Sequence, residues 1–332
     1  MKTNNILLSV CIPTRNRVKM LSELIDSVLS DLDGTTRSKT EIVISDNNSD
    51  DGTRECVGSY MQQHSAVIRY SRNESDLGFS KNFNKAVELA TGKFILFMSD
   101  DDGIEQGTIP QIFKIITDHP DVGYVYLPHQ DYNHQLDQRQ SNYIPGENKF
   151  YQRGYKLAEE AKALTPCLIS GYVVNRSAWL QAHPEEHYNS IEIQVPVGMK
   201  ILSRHPAYAF RERALIKYRL DNATWSIETD PLFPFPLLVG NLEACKAIKG
   251  NVPNRVYRML YSISMRTLAG HVIRNKVLGY PFPRKKISSI LTPFTDFHGL
   301  MPALASSIVW ILLRTPKWML YVPFRWLVPK KI

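Results

Sequence analysis

Cysteine is scarce in this chain and long apolar runs are missing. Cys11, Cys56, Cys167 and Cys245 are the only four cysteines in 332 residues, far apart, with no CxxC pair and no metal-ligand spacing. That pattern speaks against a disulfide framework and for thiols in a reducing compartment. No uncharged apolar stretch reaches 18 residues, so no conventional membrane span is expected. A secretory pattern is also lacking: only Lys2 precedes the short apolar run from Ile6 to Ile12, and Pro13 and charged residues follow at once. Acid is nearly absent from the last hundred residues. Residues 231–332 carry 15 Lys/Arg against Glu243 and Asp296, a net of +13, which leaves residues 1–230 at −5 within the overall +8. Two segments of opposite charge imply two kinds of partner. No groove-reading or base-stacking motif accompanies the basic charge, so nucleic acid is not expected as a partner.

With 43% hydrophobic and 22% charged residues, the chain has the composition of a folded protein. Short apolar runs alternate with helical periodicity through its first half. Leu7 to Ile12, Glu41 to Ser45, Val67 to Tyr70 and Phe94 to Met98 read as strands. Val18, Leu21, Leu24, Ile25, Val28 and Leu29 recur at helical spacing, and further helices are expected near Thr53 and from Gly78 to Ala90. The alternation predicts a mostly parallel sheet with helices on both faces, where ligands bind beyond the carboxyl ends of the strands. Thr14 to Arg17, Asp46 to Asp51 and Ser99 to Asp102 each sit at such an end and would line one crevice.

The last of these clusters carries the densest charge. Phe94 to Met98 runs straight into Ser99-Asp100-Asp101-Asp102, and adjacent carboxylates repel unless a cation lies among them. Oxygen ligands of this kind suit Mg²⁺ or Mn²⁺, held by one or two carboxylates plus substrate phosphates. A solvated acidic turn is the plainer alternative.

Val10-Cys11-Ile12-Pro13-Thr14-Arg15-Asn16-Arg17, Ser45 to Thr53, Gly78 with Asn82, and Ala90-Thr91-Gly92 leading to Ser99-Asp100-Asp101-Asp102 together resemble the family 2 glycosyltransferases of GT-A fold. The likeness covers roughly residues 6–225. It implies an α/β, Rossmann-like domain over 1–228 and a nucleotide-sugar donor flanked by Pro13, Thr14 and Arg15. Asp46 would read the base with Asn48 beside it, and Gly78 and Asn82 would close over the donor. Ser99 stands where the family's DxD signature usually begins. The resemblance therefore gives the metal to Asp101, the donor ribose or sugar to Asp100, and a lesser role at the sugar or the metal to Asp102; the missing first carboxylate puts metal dependence in question.

Transfer to a hydroxyl needs a base, and a positioned carboxylate serves. Glu192 matches the family's acidic position, with Glu185 and Glu186 as rivals. Tyr218, Arg219 and Trp225 follow where related transferases shape the cleft. Prolines 231, 234 and 236 mark a boundary before a helical, basic region at 229–332, within which Met259, Ile263 and Leu268 suggest a packed face. Its last segment, about 303–332, holds Trp310, Trp318 and Trp326 among five cations and no acid, the composition of an interfacial, monotopic membrane contact. The expectation is an inverting transferase acting on a lipid-linked glycan at the cytoplasmic face of the membrane in a bacterial surface-polysaccharide pathway. A nucleotide-sugar-binding protein without transfer, and a nucleotidyltransferase, are the alternatives; the latter usually carries a basic glycine-rich loop where this chain has Pro13-Thr14-Arg15-Asn16.

Overall fold

A computed structural model describes residues 6–163, 168–190, 192–220 and 235–278, and Ile311. In its first half, strand and helix alternate as the periodicity predicts: β1 (Leu8–Thr14), α1 (Val18–Asp31), a short α2 (Gly34–Arg37), β2 (Thr40–Asp46), α3 (Thr53–His64), β3 (Ile68–Arg72), α4 (Phe79–Leu89) and β4 (Phe94–Phe97). The second half is more broken. It comprises β5 (Gly103–Ile104), α5 (Thr108–Asp118), β6 (Tyr124–Tyr126), β7 (His129–Tyr132), β8 (Lys149–Tyr151), α6 (Tyr155–Ala161), β9 (Tyr172–Asn175), α7 (Arg176–Gln181), α8 (Gln194–Arg204), β10 (Ala207–Ala209), β11 (Ile216–Arg219), α9 (Phe235–Ala247) and α10 (Asn254–Leu278).

An eight-stranded sheet runs in the order β3-β2-β1-β4-β9-β6-β10-β8. Its first four strands are parallel, β9 is antiparallel to both neighbours, and β10 runs parallel to β6 but antiparallel to β8. Side chains alternate across the sheet with the period of a strand. Cys11, Val43, Ile95 and Phe97 face one core, while Val10, Ile12, Ile42, Ile44, Leu96 and Met98 face the other. Burial on both faces explains why these strands read as continuous apolar runs rather than alternating ones. A second, three-stranded sheet, β5-β11-β7, follows β4; it joins Gly103 and Ile104 to the late strand that ends at Arg219. Pro128 to Tyr151 thus supplies one strand to each sheet.

Phe97 anchors the end of β4. Its ring stacks on Phe83 at 4.4 Å and meets Trp179 at 4.8 Å and Tyr172 at 5.3 Å. Trp179 in turn donates its indole N–H to Asn84 Oδ1 at 2.9 Å. The helices after the expected boundary share this core: Leu238, Leu242, Cys245, Tyr257, Leu260 and Leu268 join it beside α8. The prolines at 231 and 234, Trp225, Cys167 and, apart from Ile311, the segment 303–332 lie outside the described residues.

The other end of β4 depends on a close approach. Gly92 donates its N–H to Ser9 Oγ at 2.9 Å, and a Cβ there would fall 2.5 Å from that oxygen and 2.8 Å from the Ser9 nitrogen. Backbone would have to shift to admit it. Gly92→Ala is expected to cost about 1–3 kcal/mol, read as a lower urea midpoint at unchanged m-value.

Candidate active site

The loops leaving β1 and β2 are laced together. Asn47 N donates to Thr14 O at 2.9 Å, Asp50 N to Asn16 Oδ1 at 2.9 Å, and Val18 N to Asp51 Oδ2 at 2.8 Å. Asn16 turns the chain with φ of 52°, a left-handed conformation that asparagine tolerates. Arg17 follows as the N-cap residue of α1.

Its guanidinium reaches the acids after β4. Arg17 Nη1 lies 2.9 Å from Asp100 Oδ1 and 2.7 Å from Asp101 Oδ2. Thr14 Oγ1 donates to Asp100 Oδ2 at 2.7 Å, and Ser99 Oγ donates to Asp101 Oδ1. Behind them stands buried Arg219. Its backbone N–H donates to Asp102 Oδ1 at 3.0 Å, its Nε to Asp101 O at 2.6 Å, and its Nη2 meets Glu23 Oε2 at 2.6 Å. Burial pushes Asp100 up to about 6 against the pull of Arg17, and burial with the neighbouring Asp101 pushes Asp102 up to about 7. Burial pulls Arg17 down, but Asp100 and Asp101 outweigh it and raise its value, so the cation is held charged.

These groups border a cleft of about 580 Å³. Of the residues expected at the donor, Pro13, Thr14, Arg15, Gly78, Asn82, Ser99, Asp100, Asp101 and Asp102 all line it, as do Tyr218 and Arg219. Asp46 and Asn48 are not among its lining. Asp46 is fully buried; its Oδ1 accepts from Ser49 N at 2.9 Å and Ser49 Oγ at 2.6 Å, and its Oδ2 from Tyr70 Oη at 2.5 Å. The two bonds from Ser49 close a turn on the aspartate side chain. Asn47 and Arg17 line the cleft, as expected of the clusters Asp46 to Asp51 and Thr14 to Arg17, together with Asp76, which carried no expectation. Arg15 pairs with Asp76, whose Oδ1 accepts from Gly78 N at 2.8 Å. Asp76 carried no signal beyond its place two residues before Gly78.

Glu192 is buried just before α8 and outside the cleft lining. Its segment is tied toward the cleft, since Ser80 Oγ, one residue past cleft-lining Phe79, donates to Ser190 O. Glu192 Oε2 has no hydrogen-bond partner among the described residues, and Gly240 of α9 abuts it. Burial alone pushes the carboxyl up to about 7, where it can exchange a proton at neutral pH. The rivals differ: Glu185 meets His183 at 2.9 Å and Glu186 meets Lys200 at 2.6 Å, both as exposed carboxylates whose values those partners help lower.

The sequence model of Glycosyl transferase family 2 matches residues 9–183, more than half of the chain. The chain belongs to this family. It is 33% identical over 117 residues to the abequosyltransferase RfbV of Salmonella typhimurium, covering 35% of this chain and 34% of that one. It is 32% identical over 108 residues to the GalNAc(5)-diNAcBac-PP-undecaprenol beta-1,3-glucosyltransferase of Campylobacter jejuni, covering 32% and 33%. The matched stretch thus spans about a third of these curated relatives. In fold, the chain resembles S. aureus TarS 1-349 in complex with UDP-GlcNAc, with a TM-score of 0.68 at 15% identity over 97% of this chain and 92% of that one. The GT-A-like α/β fold expected from the motifs is therefore present. Family membership and fold do not assign the individual site residues.

Among the described residues, no group of three or more His, Cys, Asp or Glu side chains converges on a point where a metal would sit. Mg²⁺ and Mn²⁺ do not require one, because one carboxylate plus a diphosphate suffices. Asp101, which faces the cleft, fits that mode, and the ion's remaining ligands would come from phosphate and water.

The Glu192 carboxyl sets a pH-dependent stability. Its folded value lies above the ordinary one, so folding favours the proton, and stability falls as pH rises from about 4.5 to about 7. Glu192→Gln, which cannot ionise, is expected to melt higher than the parent at pH 8 and level with it at pH 5, measured by thermal denaturation across pH.

Proposed function

We propose that the chain is an inverting glycosyltransferase that moves a sugar from a nucleoside diphosphate donor to a hydroxyl of a lipid-linked glycan. The observation that carries this reading is the pairing of a cation-bearing cleft at the strand ends with a neutral-range carboxyl one short segment away. The acceptor oxygen attacks the anomeric carbon, the bond from that carbon to the diphosphate oxygen breaks, and the hydroxyl proton passes to Glu192. One in-line displacement inverts the anomeric centre. Arg15 and Arg17 face the departing diphosphate, and a divalent ion at Asp101, when bound, neutralises charge on the leaving group. Asn47 and Asp76 are set to meet the nucleoside, with Asp46 and Ser49 shaping the loop that carries Asn47. Asp100 and Asp102 hold the acidic turn and face the donor ribose and sugar, while Gly78 and Asn82 lie beneath the donor.

A lipid-linked acceptor is supported by the name of the Campylobacter relative, which specifies a PP-undecaprenol glycan, and on this reading the reaction takes place at the inner face of a bacterial membrane. Charge supports the same surface. Residues 235–278 carry seven Lys/Arg against Glu243 alone, and Arg255, Arg258, Arg266 and Arg274 are exposed on α10. No helix among the described residues is long and apolar enough to cross a membrane. The proposed contact is therefore peripheral, through α10 and the segment 303–332. The division near residue 228 is one of task, donor chemistry before it and membrane contact after it.

Nucleotide release from a panel of sugar donors, with and without Mn²⁺ and a polyprenyl-diphosphate glycan, tests the reaction. Acceptor-dependent release is expected, falling by about 10²-fold or more in Glu192→Gln while donor binding is kept; donor binding with no transfer under any condition would leave only a binding protein. Deleting residues 303–332 should weaken sedimentation with anionic liposomes, and unchanged binding would count against that segment.

A further inference from the structure

We propose that Arg17 is a resident counter-ion of the acidic turn, closing Asp101 to a free divalent cation and releasing it when the donor's diphosphate arrives. The inference deepens the transferase reading and rests on its placing of the donor in this cleft. Both oxygens of Asp101 already have donors: Oδ2 faces Arg17 Nη1 at 2.7 Å, and Oδ1 accepts from Ser99 Oγ. Asp100 is equally engaged, by the same guanidinium nitrogen at 2.9 Å and by Thr14 at 2.7 Å. Asp102 is held by the backbone N–H of Arg219. A divalent ion arriving alone would have to displace the charge-assisted bonds of Arg17 to Asp100 and Asp101, and no third acid converges on it among the described residues.

A diphosphate changes that balance. Guanidinium matches phosphate as well as it matches carboxylate, so Arg17 exchanges one anion for another without losing its bonds. The phosphate oxygens also supply the ligands that Mg²⁺ or Mn²⁺ prefers. Arg17 stands at the N-cap of α1, where its carbonyl accepts from Leu21 N at 2.9 Å, and its side chain is 19% exposed at the cleft. Metal and donor affinities are then coupled reciprocally through one side chain. Ser99 belongs to the same device: a hydroxyl holds Asp101 in place where a third carboxylate would have drawn a metal.

Mn²⁺ binding to the full chain without nucleotide, followed by loss of the aquo-ion electron paramagnetic resonance signal, tests this. Arg17→Gln is expected to bind Mn²⁺ at least ten-fold more tightly than the parent, and adding Asp101→Asn should abolish the gain. Equal affinity in parent and Arg17→Gln, no binding by Arg17→Gln, or a gain that survives Asp101→Asn would overturn the proposal. Should Arg17→Gln fail to fold, Arg17→Lys carries the comparison; the lysine ammonium ends a bond short of the guanidinium Nη1 that bridges both carboxylates, so a tightening of three-fold or more is expected and an unchanged affinity overturns it. Adding the tightest binder among UDP, CDP and GDP should close the gap between parent and variant to under three-fold, and a persistent gap overturns the release step. Because the first comparison contains no sugar donor, a negative transfer assay would sink the transferase reading without touching this result.

Discussion

Three consecutive carboxylates at the end of one buried strand are the constraint to which the site responds. β4 is locked by the aromatic contacts of Phe97, so Asp100, Asp101 and Asp102 cannot spread apart by moving the strand. Repulsion at such separations is strong wherever water is thin. Distant parts of the chain supply the answer. Thr14 comes from β1, Arg17 from the head of α1, and Arg219 from β11, more than a hundred residues later. The small second sheet is the reason Arg219 can reach, since β11 pairs with β5 directly after the acids.

The same arrangement divides the chemistry in space. In the proposed reaction, leaving-group charge is handled at the ends of β1, β2 and β4. The proposed base, Glu192, lies apart from them, and its carboxyl is kept near neutrality by burial against α8 and Gly240 of α9 rather than by a charged neighbour. The C-terminal helices therefore bear on that carboxyl as well as on the proposed membrane contact. Their packing into the core around Trp179 and Tyr172 sets the dielectric around Glu192.

What could be read from the residues alone follows from how locally each feature is encoded. β1, β2 and β4 are short apolar runs ended by polar turns, and the clusters at their ends lay where the parallel-sheet rule puts ligands. β7 and β8 were harder, being four and three residues long and half polar; their existence depends on pairing across the chain. Side-chain direction was the other gap. Asp46 and Asn47 are adjacent, polar and both buried, yet the first is bonded to Tyr70 and Ser49 while the second reaches Asp76 at the cleft. The need for a cation among the acids was evident from their charge. That a protein guanidinium fills it became visible only when the turn at Asn16 placed Arg17 against Asp100 and Asp101.

The central claim is that the loops after β1, β2 and β4, with the turn before α4, form one nucleotide cleft. Amide hydrogen exchange of the full chain, with and without saturating UDP, CDP or GDP, tests it most directly. At least one nucleotide is predicted to slow exchange together at residues 13–17, 46–49, 76–79 and 99–102, while α6 at Tyr155–Ala161 is unchanged. Protection by none of the three, or protection confined to segments away from these loops, would contradict the account.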